Sequence, residues 1–273
     1  MTRILAFDTE TTGLPLKGVR EANILNMEMW PFIVQLSYVI YNTETHTIDK
    51  MVNNIVRVPD RAIIPPEVEK IHGISKEQSQ REGAPIQAVL AEFYKDMCDR
   101  GITKVIAHNM SFDLQMIKSA WLRVRDKYPD TVEHHATYHD YMRLFQGEIA
   151  RDRYVCTKDA MTEFCKIPFP SSRPNGIKTH NSLKTERYKW PKLEEAHKTL
   201  FGVTPNNLHN SLFDCLVTVR VYVKFSTQAD PLVTCVQMKN LFQDNGLLTD
   251  TTPALSLINP ADIPVPANGG ANK

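Results

Sequence analysis

An α/β layer fold is predicted for this chain, and three observations carry the prediction. Strand-like runs fill the first 56 residues, helical periodicity dominates from residue 84 onward, and a short apolar run near residue 105 returns the chain to the sheet. Residues 3–8 are short and apolar and read as the first strand. The run 32–41 is rich in β-branched and aromatic side chains, which favours a second strand over a helix. After the polar turn 42–45, a third strand is expected over 50–56, so the sheet begins as a meander. Pro65-Pro66-Glu67 can open a short helix, because proline is tolerated in a first turn. Over 84–100 the residues Val89, Leu90, Phe93 and Met97 recur at helical spacing, with Gly101 as the stop. A buried strand at 104–107 leads into a helix over 112–125. A helix over 159–165 ends before Pro168 and Pro170, and helices at 193–201 and 211–225 complete the order. This gives a main domain of residues 1–228 and a short helical extension over 229–248. A flexible tail is expected over 249–273, where four prolines and few charges occur.

Bulk properties narrow the class. At 273 residues and 42% apolar, the chain suits one large globular domain with a tail. It has no apolar run of about 18 residues, the length needed to span a bilayer. The N-terminus enters a strand pattern at once and lacks the features of a signal peptide, so an intracellular setting, cytoplasmic or nuclear, is expected. Five cysteines without a Cys-x-x-Cys pair read as reduced thiols. A zinc site built from His134, His135, His139 and a cysteine would match no structural zinc spacing. The net charge of +1 does not announce a nucleic-acid binder, but its distribution is uneven. Between Ser171 and Lys192 stand Arg173, Lys178, Lys184, Arg187, Lys189 and Lys192 against the single acid Glu186, with Tyr188 and Trp190 among them. Such a stretch suits a phosphate backbone and stacked bases, or a solvated loop with Trp190 packed into the core. For Trp190 the core is expected.

Three short stretches carry chemistry. They are Phe7-Asp8-Thr9-Glu10-Thr11-Thr12-Gly13-Leu14, His108-Asn109-Met110-Ser111-Phe112-Asp113, and His209-Asn210-Ser211-Leu212-Phe213-Asp214. Asp8 and Glu10 are two apart on a strand and therefore share a face. Asp113 opens a helix directly after a buried strand, where an acid could also serve the helix dipole alone. Asp214 lies early in a helix, with His209 in the loop before it. His108 reads as a loop support. Gathered carboxylates raise one another's pKa unless a cation neutralises them, and a hard divalent ion prefers this oxygen ligation.

These motifs resemble the DEDDh exonuclease superfamily, which includes the epsilon proofreading subunit of bacterial DNA polymerase III and oligoribonuclease. The resemblance covers roughly residues 3–227. His72-Gly73-Ile74 resembles the element between the first two motifs. The run Lys189–Leu193 with Leu200-Phe201-Gly202 looks like the approach to the third motif in epsilon-like members. The resemblance implies a ribonuclease H-like fold with a mixed central sheet flanked by helices. It also implies two divalent ions, Mg2+ or Mn2+, on Asp8, Glu10, Asp113 and Asp214. His209 would be the base for a two-metal hydrolysis, acting from a free 3′ end and releasing nucleoside 5′-monophosphates. Thr11, Thr12 and Leu14 would line the pocket for the terminal nucleotide, with Leu14 as a wedge.

The expected activity is a 3′–5′ exonuclease on DNA, single strands preferred, in proofreading, repair or degradation. An exoribonuclease of the same fold is the alternative, since only 2′-hydroxyl contacts separate the two. An inactive nucleic-acid-binding protein is a third reading, opposed by the presence of all five expected catalytic residues. A DNA polymerase would be the partner in proofreading. A sliding clamp is suggested faintly by Gln237-Met238-Lys239-Asn240-Leu241-Phe242, although Leu241 and Phe242 more simply pack a short helix onto the domain.

Overall fold

The computed structural model describes residues 2–98, 101–127, 153–169 and 188–248. Strand β1 (Arg3–Thr11) lies at the centre of a five-stranded sheet of order β3-β2-β1-β4-β5. On one side it pairs antiparallel with β2 (Ile33–Asn42), which pairs antiparallel with β3 (Thr47–Ile55). On the other side it runs parallel to β4 (Ile102–Ala107), which is parallel to β5 (Tyr154–Cys156). The expected meander and mixed sheet are therefore present. Among the described residues, the helices are α1 (Pro66–His72), α2 (Lys76–Glu82), α3 (Ile86–Met97), α4 (Met110–Lys127), α5 (Thr157–Cys165), α6 (Leu193–Phe201), α7 (Ser211–Thr227), α8 (Pro231–Thr234) and α9 (Val236–Asp244).

Two cores cover the two faces of the sheet, and the parity of β1 assigns its residues between them. Leu5 and Phe7 join Phe93 and Met97 of α3 and Met116, Ile117 and Trp121 of α4. Ile4 and Ala6 join Leu216, Val219 and Val223 of α7, with Leu200 of α6 and Met238 and Phe242 of α9. A strand covered on both faces reads as continuously apolar, and β2 is buried along its whole length. The edge strand β3 alternates instead, with its exposed residues facing solvent.

Several expectations need correction. Helix α3 begins at Ile86, because Ala84 bridges to Val56 and exchanges backbone hydrogen bonds with Ile55 and Arg57. It ends at Met97, before Gly101. Helix α2 was not expected, since its sequence KEQSQRE has no apolar stripe. Its start is marked by Ser75, whose side chain accepts from the Gln78 amide at 3.1 Å. The three-residue β5 was also unforeseen. Helices α4 and α5 begin two residues earlier than expected, and β1 runs on to Thr11. Gly73 closes α1 at φ 75°, a left-handed position that favours glycine, which explains the His-Gly-Ile spacing. The clamp-like segment is α9, where Met238 and Phe242 are fully buried and Gln237 accepts from the Ile48 amide at 2.9 Å. Met238 and Phe242 are therefore core, with Leu241 partly buried against the same cluster as the simpler reading held, and they are not free to enter a partner. The five cysteines are all free thiols. Among the described residues no helix is long and apolar enough to cross a membrane. The histidines His134, His135 and His139, the basic residues Arg173, Lys178, Lys184 and Arg187, and the tail from 249 lie outside the described residues.

Candidate active site at the end of the central strand

Residues Asp8 and Glu10 continue the parity of Ile4 and Ala6, so they emerge on the α7 face just where β1 runs past its parallel partner β4. Asp214 stands in the first turn of α7 and meets them there. The carboxylate oxygens of Asp8, Glu10 and Asp214 lie within 4.8 Å of one another. Asp113 arrives from the opposite layer, in the first turn of α4. Thr9, between the two acids and pointing to that other face, holds it. The Thr9 amide and hydroxyl both donate to Asp113 Oδ1, at 3.0 and 2.7 Å. The site therefore straddles the strand end, three acids above and one reaching round from below.

The floor is polar for the same geometric reason. Gln35 and Ser37 are the β2 partners of Glu10 and Asp8 and share their face. Gln35 Oε1 accepts from the Ser211 amide at 3.2 Å, and the Ser37 and Ser211 hydroxyls are 2.6 Å apart. Both side chains also reach Asn53 Oδ1 on β3, at 2.7 and 2.9 Å. Two polar residues in a buried strand thus fix the N-terminus of α7 and with it Asp214. Asn210 caps that helix by accepting from the Leu212 amide at 3.1 Å.

Electrostatics reflect crowding. Burial first, then the carboxylates of Asp113, Asp214 and Glu10, holds Asp8 well above the usual carboxylate range. Glu10 is pushed to about 8, by burial and then by Asp214 and Asp113. Asp113 is pushed to about 7 by burial, although the Thr9 donors and the Lys158 ammonium act against that rise. Asp214 also reaches about 7, through burial, with Asp113 and Glu194 adding to the rise and the His209 amide opposing it. Such a cluster keeps protons at neutral pH unless a cation takes their place. The donor set is all oxygen, and a hard divalent ion fits it.

His209 stands in the loop before α7 with φ 71°, a left-handed position, and its amide donates to Asp214 Oδ2 at 3.0 Å. Its side chain is exposed. His108 behaves differently. It is largely buried, its Nε2 meets the Pro191 carbonyl at 3.0 Å, and its Nδ1 meets the Thr157 hydroxyl at 2.9 Å. Burial pushes it down to about 4, so it is a neutral pin between the ends of β4 and β5 and the approach to α6. At the other rim, the Thr11 hydroxyl donates to the Gly13 carbonyl at 2.6 Å, and the Thr12 hydroxyl accepts from the Phe32 amide at 3.0 Å. Both threonine side chains are buried and shape the loop, while Leu14 projects from it with 82% exposure. Gly13 has φ 145°, which favours glycine at this turn.

A family model described as exonuclease, RNase_T, matches residues 5–184. The chain belongs to the RNase_T exonuclease family. That makes it a nuclease of the DEDDh superfamily with the ribonuclease H-like fold. The matched region holds Asp8, Glu10 and Asp113, and His209 and Asp214 follow it. Solved structures agree on the fold. A structure of exonuclease I superposes with a TM-score of 0.53 at 16% identity, covering 89% of this chain and 44% of the other. E. coli exonuclease I in complex with a dT13 oligonucleotide gives 0.53 at 16%, covering 82% and 41%. The zinc-bound form of the E. coli exonuclease I complex with single-stranded DNA gives 0.52 at 17%, covering 82% and 40%. The chain thus spans less than half the length of these exonuclease I chains. A comparison with curated protein sequences gives no match.

Residue-level reasoning missed four contributors: Thr9, Gln35, Ser37 and Lys158. The signal for the first three was parity. Thr9 alternates with two acids, and Gln35 and Ser37 interrupt an apolar strand on a single face. Trp190, expected in the core, is 54% exposed. The neighbouring Pro191 is buried instead.

Proposed function

We propose that this chain is a metal-dependent 3′–5′ exonuclease that hydrolyses single-stranded DNA from a free 3′ end to nucleoside 5′-monophosphates. The convergence of Asp8, Glu10 and Asp214, with Asp113 pinned beside them, carries the reading. These four residues would hold two divalent ions, Mg2+ or Mn2+. Bound there, such ions supply Lewis-acid polarisation of the phosphate and make water acidic enough to attack it.

The remaining work falls to side chains of the chain itself. His209, exposed beside Asp214, would accept the proton of the attacking water as a general base. The loop shaped by Thr11 and Thr12 would receive the terminal nucleotide, with Leu14 as the wedge against its base. Oligonucleotide-bound E. coli exonuclease I supports single-stranded DNA as the substrate class. Proofreading, repair and DNA degradation are the settings that need this reaction, and proofreading would bring a polymerase as partner. A sliding clamp is not part of the reading, because Met238 and Phe242 of the clamp-like segment are core.

The test is a gel assay with purified protein, Mg2+ and matched 5′-labelled single-stranded DNA and RNA, with an EDTA control. A Mg2+-dependent ladder shortening from the 3′ end, faster on DNA, is expected. Faster RNA cleavage would move the substrate class to RNA. Absence of cleavage by folded protein would overturn the reading.

A further inference from the structure

Tryptophan is usually buried, and Trp30 and Trp121 here are, at 5% and 2% exposure. Trp190 departs from them without being loose. The chain on either side is tied down. The Lys189 amide donates to the Ile167 carbonyl at 2.9 Å, and its ammonium reaches both Glu195 oxygens at 2.6 and 2.7 Å. On the other side the Pro191 carbonyl meets His108 Nε2. The Lys158 ammonium sits 4.3 Å from the indole centroid and donates to Asn109 Oδ1 at 2.6 Å. Asn109 itself has φ 87° and sits in the turn between β4 and Asp113. An open aromatic face and a cation are thus fixed together beside the carboxylate site. They lie toward β5, whereas Leu14 lies on the loop that is bonded to Phe32, next to β2.

We infer that Trp190 and Lys158 bind the substrate strand upstream of the cleaved bond, the indole stacking on an internal base and the ammonium meeting a phosphate. This rests on the exonuclease reading of the carboxylate site. A strand whose 3′ end lies at Leu14 crosses the carboxylates and leaves past Trp190. Stacking on an aromatic side chain tolerates any base, as a processive or non-specific nuclease requires. The cation polarises the ring and neutralises phosphate charge without supplying a sequence-reading contact.

The test compares substrates with and without an upstream base. Wild-type protein, Trp190→Ala and Trp190→Phe are assayed on a 12-nucleotide single strand and on thymidine 5′-monophosphate p-nitrophenyl ester. Trp190→Ala is expected to raise KM on the oligonucleotide by about tenfold with kcat little changed, as loss of one stacking contact implies. It leaves the ester unaffected, and Trp190→Phe recovers most of the loss. Equal KM values for wild type and Trp190→Ala on the oligonucleotide, or equal losses on both substrates, overturn the inference. If the wild type cleaves neither substrate, the exonuclease reading fails by itself. Oligonucleotide binding in EDTA then decides the inference. Quenching of tryptophan emission in the wild type, with weaker binding by Trp190→Ala in a labelled-oligonucleotide titration, supports it. Identical affinities overturn it.

Discussion

Four carboxylates share one strand end, yet they come from both layers of the protein, and Thr9 is the residue that joins the layers. Its two donors hold one oxygen of Asp113. Thr9→Val removes the hydroxyl and keeps the shape. Groups that orient metal ligands typically matter by about 10–100-fold, so the Mg2+ concentration for half-maximal rate should rise within that range. A metal titration of the rate measures it, and an unchanged midpoint would remove Thr9 from the site. Asp8→Ala and Asp113→Ala should each abolish hydrolysis while the circular dichroism spectrum and unfolding midpoint stay folded-like. Full activity in either purified variant would sink the metal-site proposal. His209→Ala should lower kcat and leave the Mg2+ midpoint nearly unchanged. Much weaker Mg2+ binding with an intact saturated rate would contradict its assignment as base. At this scale the sequence was readable where chemistry and parity coincide, as with Asp8 and Glu10. It was silent on Lys158, because nothing local tells a lysine in α5 that its neighbour will be the turn before Asp113. The misplacement of Trp190 has a similar origin. Hydrophobicity argues for burial, and only the tertiary anchoring of Lys189 and Pro191 holds the ring outside.

Among elements, α7 does the most. Its N-terminal turn carries Asp214, and its buried Arg220 organises the far end. Arg220 bonds both oxygens of Asp230 at 2.9 and 2.7 Å and donates to His197 Nε2 at 2.8 Å. His197 must be neutral to accept that bond. Burial and the adjacent guanidinium push it down to about 3, in keeping with that state. Removing one partner of a buried ion pair leaves the other charge uncompensated and costs about 3–5 kcal/mol. Asp230→Ala should destabilise the protein by that order in urea unfolding, and a change below about 1 kcal/mol would show the pair to be dispensable. Helix α3 was legible because a core must see an apolar stripe, here Val89, Leu90, Phe93 and Met97. Helix α2 and strand β5 were not. The first buries only Ser79 among its side chains, and the second is three residues long, so neither has a period to read.

For the whole molecule, the acidic cluster sets a pH dependence of stability. The folded pKa values of Asp8, Glu10, Asp113 and Asp214 all lie above their unfolded values of about 4. Between pH 4 and 8 these four groups therefore bind more protons in the folded state than in the unfolded state, and their contribution to stability falls as pH rises, while buried His108 and His197 act in the opposite direction up to about pH 6.5. In EDTA the melting temperature should drop from pH 5 to pH 8, and Mg2+ should raise it more at pH 8 than at pH 5. A metal-free protein whose stability rises steadily over that range would show that other groups outweigh the cluster. The α/β class followed from the order of strand-like and helix-like segments, while the mixed sheet with its flanking helices was implied by the family resemblance. The division of the core into two layers followed from neither, since β1 and β2 are apolar on both faces and their parity becomes visible only against the helices.

The dependence of the site on both layers also has a consequence in time. A chain made from its N-terminus presents Asp8 and Glu10 first and Asp113 a hundred residues later, and Asp214 appears only when α7 can dock on the sheet. Until then the ribosome-bound chain carries an incomplete ligand set. On the proposed function, a nuclease built this way would cut no nucleic acid while it is being made and would become active only once α7 has closed the site.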